Sequence, residues 1–224
     1  RKETLKLANL RTLVLDEADR MMDMGFQPAL DAILEYVPAQ RQTLLFSATF
    51  PPGIAAIAKR VMQAPEHVQV ESTHDSSTIA QIFHLVEDSE RITALRLLLL
   101  EQRPDSAVVF CNTREDCAKV AAALSREGFS VAPLHGDLEQ RERDHTLIQF
   151  ANKSLSVLVA TDVAARGLDI DALDAVINFH IPRDLDVYIH RIGRTGRAGS
   201  RGVACTLFSE QERHKLARLE GILD

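Results

Sequence analysis

Residues 14–26 read VLDEADRMMDMGF, an apolar run that stops abruptly at Asp16 and Glu17. Leu13, Val14 and Leu15 form a short continuous apolar stretch, and two carboxylates follow at once. That pattern suits a buried strand delivering acid groups to its carboxyl end, where open parallel sheets place their chemistry. Paired acids there suit a nucleotide hydrolase, one to hold Mg²⁺ and one to steer a water. Such a site also needs a phosphate loop of the form G-x-x-x-x-G-K-[ST]. None of the ten glycines is followed by Lys, so the sequence contains no such loop.

Outward from this stretch, short apolar runs alternate with amphipathic ones. RTLVLDE and QTLLFSAT read as strands, PALDAILEYV and GIAAIAKRVM as helices, the last with Ile54, Ile57, Ala58 and Val61 on one face. ESTHDSSTIAQ is polar and without period, as in a linker. Six further strand-like runs follow, QIFHLVE, SAVVFCN, SVAPLHG, LSVLVAT, LDAVINFHI and GVACTLFS, with helix-like stretches among them. In REDCAKVAAALSREG the residues Cys117, Val120, Ala121 and Leu124 share a face and Gly128 is the stop signal. DLDVYIHRIG reads as a helix, and Ser209 and Glu212 form a capping box ahead of the final one. Strand–helix alternation with short connections implies α/β domains with parallel sheets covered by helices. The expected organisation is a partial domain over residues 1–70, a linker over 71–80 and a complete domain over 81–224.

The chain has 224 residues and a formal net charge of −6, which excludes a global basic field and leaves nucleic acid to a local patch. No acid lies between Asp186 and Glu210, whereas Arg191, Arg194, Arg197 and Arg201 do. Three cysteines without CxxC spacing argue against a disulfide frame or a zinc site, and Cys111 and Cys205 in apolar runs read as packing thiols. The longest apolar run is far short of a membrane span, and the first residues lack the apolar core of a signal peptide. The expectation is a cytoplasmic protein, and a piece of a longer one.

Reading just past each strand-like run gives a series of short motifs: DEAD at 16–19, SAT at 47–49, VVFCNT at 108–113, LHGDLEQRERD at 134–144, VATDVAARGLD at 159–169 and HRIGRTGRAG at 190–199. Their order and content resemble the DEAD-box RNA helicases of superfamily 2, over essentially the whole chain. Asp19, where DEAH relatives have His, and His190, where they usually have Gln, agree on the subfamily. The resemblance implies RecA-like domains that close on ATP and single-stranded RNA. It also implies that the phosphate loop and an adenine-reading element precede Arg1, a protein without the loop being the alternative.

By the same resemblance Asp16 holds Mg²⁺, mostly through water, and Glu17 polarises the attacking water. Asp19, Ser47, Thr49 and His190 couple the ATP and RNA sites. Arg194 and Arg197 act as arginine fingers on the γ-phosphate, and Gly167 and Asp169 bind ATP, the latter at the ribose. Arg166 is an inter-domain or structural contact, and Asp162 braces the arginine elements rather than binding metal. His190, Arg194 and Arg197 stand at i, i+4 and i+7 and share a face if the segment is helical. Asn112, Thr113, Gly136, Arg143 and Thr161 match RNA-contact positions of the family. His135 reads as a strand-end structural residue. With aromatics at 5% and no Trp, contacts to the RNA backbone without sequence preference are expected rather than base stacking. The stretches FCNTREDC and ATDVAARGLDI resemble bacterial members of the family, which implies ribosomal RNA or a ribosomal precursor as the partner. The implied activity is ATP-dependent opening of short RNA duplexes. The rival is a non-catalytic RNA-binding or partner-docking piece, and for the chain by itself the missing loop favours inactivity.

Overall fold

The computed structural model describes residues 7–23, 25–69, 79–165, 173–182, 185–196 and 201–223. Arg166, Gly167, Asp169 and Arg197 lie outside the described residues, as does most of the stretch expected as linker. The chain forms two compact units, residues 1–71 and 72–224.

In the first unit, β1 (Thr12–Leu15) pairs in parallel with β2 (Gln42–Leu45), with Val14 opposite Leu44. Helices α1 (Ala18–Asp23), α2 (Gln27–Leu34) and α3 (Pro52–Val61) complete it. Leu15, Ala18, Leu30, Ile54, Ile57 and Val61 form one buried cluster. The expected apolar face of α3 is the one buried, because Ile54, Ile57, Ala58 and Val61 recur at helical spacing. The alternate strand positions Val14 and Leu44, with Phe46, are exposed. Helix α1, which starts inside the DEAD element, was not legible as a helix: it has only six residues and its first apolar side chain is an alanine.

The second unit is a six-stranded, all-parallel sheet in the order β3-β8-β7-β4-β6-β5. Its strands are β3 (Ile79–Leu85), β4 (Ala107–Cys111), β5 (Val131–Leu134), β6 (Val157–Thr161), β7 (Ala175–Asn178) and β8 (Gly202–Phe208). Ile79 and Ala80, read above as the end of the linker, begin β3, and Ile79 is buried. The helices are α4 (Arg91–Gln102), α5 (Arg114–Arg126), α6 (Gln140–Ala151), α7 (Leu185–Ile192) and α8 (Arg213–Leu223).

Period-two alternation divides the core between the two sheet faces. Ala107, Val109 and Cys111 of β4 pack with Leu95, Leu98 and Leu99 of α4 and Cys117, Val120, Ala121 and Leu124 of α5. Val108 and Phe110 point the other way, into a cluster with Leu134, Phe150 of α6, Leu158 and Val176. Tyr188 and Ile192 of α7 and Leu219 of α8 cover Ala204 and Phe208. Helix α5 starts at Thr113, whose hydroxyl accepts the Asp116 N–H at 3.1 Å, and stops before Gly128, whose φ of +85° only glycine adopts without strain.

The strand order fixes one further point. The chain passes from β6 to β7 across β4, so the direction of winding reverses around β4. The carboxyl ends of β4, β6 and β7 therefore surround a topological switch point, the place where open α/β sheets have a crevice.

Candidate nucleotide and RNA site

In the first unit the residues after β1 and β2 interlock. Phe46 N–H donates to Leu15 O at 2.8 Å and Ala18 N–H to Phe46 O at 3.0 Å, so the two strand ends continue to pair beyond the sheet. Glu17 bridges them with a φ of 50°, in the left-handed region that few side chains other than glycine occupy. The Asp19 carboxylate, 7% exposed, accepts the Thr49 N–H and the Thr49 hydroxyl on Oδ2, both at 2.9 Å, and the Arg20 N–H on Oδ1 at 3.0 Å. Ser47 Oγ accepts the Asp19 N–H at 3.2 Å and donates to Thr49 O at 2.6 Å. Burial pushes the Asp19 carboxyl up, but the hydrogen bonds from Thr49, Arg20 and Ser47 outweigh it and hold it below the ordinary carboxylate value. The structure thus brings Asp19, Ser47 and Thr49 together. Asp16 is exposed, its Oδ1 accepting the Glu17 N–H at 2.9 Å, and Glu17 pairs with Arg20 at 3.1 Å.

In the second unit the switch point is filled by Arg191, whose side chain the sequence reading gave no role. Its residue is 2% exposed. Nε and Nη2 donate to the two carboxylate oxygens of Asp162 at 2.6 and 2.8 Å, a bidentate pair. Nη2 also donates to Asn112 Oδ1 at 3.0 Å, and Nη1 to Asn178 Oδ1 at 3.1 Å and to His180 O at 2.9 Å. The guanidinium lies 5.1 Å from the centre of the Phe110 ring. Its three side-chain acceptors stand at the ends of β4, β6 and β7, so one planar fork joins the strands around the reversal. Asp162 braces the arginine-bearing segment, as expected. The available signal was three polar side chains, Asn112, Asp162 and Asn178, ending adjacent apolar strands with no donor assigned to them.

This network changes what several predicted RNA-contact residues offer. Asn112 also donates through Nδ2 to Ile181 O at 2.9 Å, so both ends of its amide are engaged internally and its backbone is what remains to contact a ligand. The Thr113 hydroxyl caps α5 and donates to Asp116 at 2.6 Å. Gly136 is exposed, with open space where a Cβ would stand. Arg143, half-buried in the first turn of α6, donates from Nη2 to Ala164 O at 2.7 Å, which ties that helix to the segment after β6. Thr161 is 8% exposed at the end of β6.

The expected helical face of His190, Arg194 and Arg197 is corrected. Helix α7 ends at Ile192, and Arg194 N–H and Thr195 N–H donate to the carbonyls three residues back, Arg191 O at 3.2 Å and Ile192 O at 3.0 Å. Thr195 then forms a parallel bridge with Leu173, which draws the chain out of helical phase. His190 is on the helix and Arg194 on the turn beyond it, both half-buried. Cys111, Cys117 and Cys205 are buried free thiols, and burial pushes Cys205 up to about 11, in keeping with packing roles.

The comparisons agree with this division. Residues 1–57 match the family model described as DEAD/DEAH box helicase, and residues 90–199 match the helicase conserved C-terminal domain. The chain is 52% identical over 211 residues to the ATP-dependent RNA helicase DbpA of Escherichia coli, covering 94% of this chain and 46% of that protein. It is 44% identical over 220 residues to the DEAD-box ATP-dependent RNA helicase CshA of Bacillus subtilis, covering 98% of this chain and 44% of that one. The chain therefore spans about half the length of these curated relatives. Among solved structures, Saccharomyces cerevisiae Dbp5 bound to RNA and ADP BeF3 matches with a TM-score of 0.87 at 29% identity, over 97% of this chain and 58% of that one. With the DEAD and SAT elements interlocked in one unit, the arginine-bearing turn set at the switch point of the other, and both helicase models matched in order, the chain belongs to the DEAD-box RNA helicase family.

Proposed function

We propose that this chain forms part of an ATP-dependent RNA helicase that opens short RNA duplexes locally, with ribosomal RNA or its precursors as the substrate. The observation that carries the reading is the Asp19–Ser47–Thr49 interlock beside the exposed Asp16 and Glu17. It gives a rigid connection between a pair of acids suited to phosphoryl transfer and a second strand end. Asp16 would hold Mg²⁺. Among the described residues no three metal-ligating side chains stand together, which suits a cation that keeps most of its water shell and takes one carboxylate. The bound cation would neutralise charge on the phosphates of ATP. Glu17 accepts the proton of the attacking water, and its pairing with Arg20 sets the carboxylate's direction until then. Arg194, with Arg197, stabilises the γ-phosphate oxygens, while Gly167 and Asp169 hold the nucleoside end.

Positive support for RNA comes from the ends of β4, β5 and β6. There the backbone at Asn112 and Thr113, the open Gly136, and Arg143 and Thr161 provide small groups and N–H donors suited to phosphates rather than bases. His190 belongs to the coupling set. Among the described residues no helix is long and apolar enough to cross a membrane, and we place the protein in the cytoplasm. The test is RNA-stimulated phosphate release and strand separation by the full-length protein carrying Glu17→Gln. Loss of both with retained RNA binding is expected; wild-type turnover in that variant would overturn the assignment.

A further inference from the structure

We propose that Thr195 and Gly202 are positioning residues that fix where Arg194 presents its guanidinium, an inference that rests on Arg194 being the γ-phosphate ligand. Helix α7 ends two residues before Arg194, so the rigidity of a helix does not extend to it. Three other features hold the turn. Leu173 N–H donates to Arg194 O at 3.0 Å. The Thr195 hydroxyl donates to Leu173 O, and Leu173 and Thr195 form the parallel bridge. Both residues are sealed from solvent, Thr195 at 1% and Leu173 at 2% exposed.

The third feature is Gly202, the first residue of β8. A Cβ on it would stand 2.8 Å from Thr195 Cγ2 and nearer still to Thr195 Oγ1 and to the backbone nitrogen of Gly196. Such separations are below any van der Waals contact, and one of the atoms is main chain, so it cannot swing aside. The start of β8 thus packs flat against the backbone that leaves Arg194. The turn is enclosed by Leu173 and by Gly202. The Thr195 hydroxyl is committed to a buried carbonyl and acts on the reaction only through the main chain of its neighbour. A displacement of about 1 Å at a reacting group costs on the order of 10²-fold in rate.

The experiment uses the full-length protein with Arg194→Ala, Thr195→Val, Thr195→Ser and Gly202→Ala, measuring kcat at saturating RNA, the RNA concentration for half-maximal rate, and thermal melting. Thr195→Val keeps the shape and removes the hydroxyl; it should lower kcat by on the order of 10²-fold without moving the RNA dependence. Thr195→Ser keeps the hydroxyl and should restore most of the rate. Gly202→Ala should follow Thr195→Val in kcat. Arg194→Ala crippled with Thr195→Val near wild type overturns the positioning role alone. Equal losses in Thr195→Val and Thr195→Ser, or a kcat loss that only tracks loss of cooperative melting, also overturn it. Wild-type kcat in Arg194→Ala would instead remove the reading of Arg194 and the clamp's purpose with it.

Discussion

Replacing Arg191 by Met tests whether one guanidinium holds the centre of the second unit. The substitution conserves much of the aliphatic volume and removes all five hydrogen bonds, to Asp162, Asn112, Asn178 and His180. Removing one partner of a buried ion pair costs roughly 3–5 kcal/mol, because the other charge is left without compensation. The Asp162 side chain is 27% exposed, so water can reach its carboxylate, and that moves the expected cost toward the lower end. Asn178 is fully buried, which moves it back: its Oδ1 would have no water to turn to, at about 1–3 kcal/mol for an orphaned acceptor. These contributions belong to one network and do not add. We therefore expect a loss of about 3–4 kcal/mol, within the range of 5–15 typical of a whole domain, so the variant should still fold. With a urea slope of about 2 kcal/mol/M, the midpoint should drop by about 1.5–2 M. Arg191→Lys should recover only part of this, since an ammonium has three donors and no planar fork. A second variant, Asp162→Asn, made alone and with Arg191→Met, measures the coupling. A midpoint shift for Arg191→Met corresponding to less than about 1 kcal/mol, or additive effects of the two variants, would refute the hub.

In the full-length protein Arg194→Ala should cripple hydrolysis, since an arginine finger is worth roughly 10³–10⁵ in rate, while RNA affinity with a non-hydrolysable ATP analogue persists. Arg143→Ala should do the reverse, raising the RNA concentration needed with kcat restored by excess RNA; loss of kcat alone there would place Arg143 on the wrong side of the chemistry. The 224-residue chain alone should release phosphate negligibly with saturating RNA, and turnover of about 1–10³ per second would contradict this. His180 is held below the usual imidazole value by burial and then by Arg91, with Asp116 and Glu212 opposing and Arg191 adding to the depression. As pH falls through about 6.5 the unfolded chain therefore takes up the proton first, so stability is full above that pH and declines below it, and urea midpoints against pH should lose that part of their slope in His180→Asn.

How far the sequence went depends on whether a feature is periodic or convergent. The six parallel strands of the second unit were legible because each is a short apolar run bounded by turn residues. The buried faces of α3 and α5 were legible from spacing alone. The Asp19, Ser47 and Thr49 meeting was expected from the family resemblance, and the hydrogen bonds bring it about. The hub at Arg191 was not foreseen, because its acceptors come from four places between residues 112 and 180 and no local pattern joins them. The end of α7 was misjudged for a related reason. Spacing extends a helix through Arg194, but a bridge to Leu173 competes with the next helical turn and wins.

Two arginines three residues apart in HRIGR thus carry opposite assignments, and burial decides between them. Arg191 finds every acceptor within its own domain and is closed off from any ligand. Arg194 lies half-buried just past the point where the helix gives way. A second buried arginine extends the frame. Arg91, 4% exposed, donates to Phe179 O at 2.8 Å, to Leu207 O at 3.2 Å and to the Glu212 carboxylate, which Lys215 also reaches at 3.1 Å. Arg91 and Arg191 therefore hold the consecutive carbonyls of Phe179 and His180 from two sides. Backbone carbonyls just past a buried strand have no ladder partner and would be costly to bury alone. Two guanidinium groups satisfy them, and in doing so tie the starts of α4 and α8 to the end of α7. The turn that carries Arg194 then inherits its position from the whole sheet edge rather than from one helix.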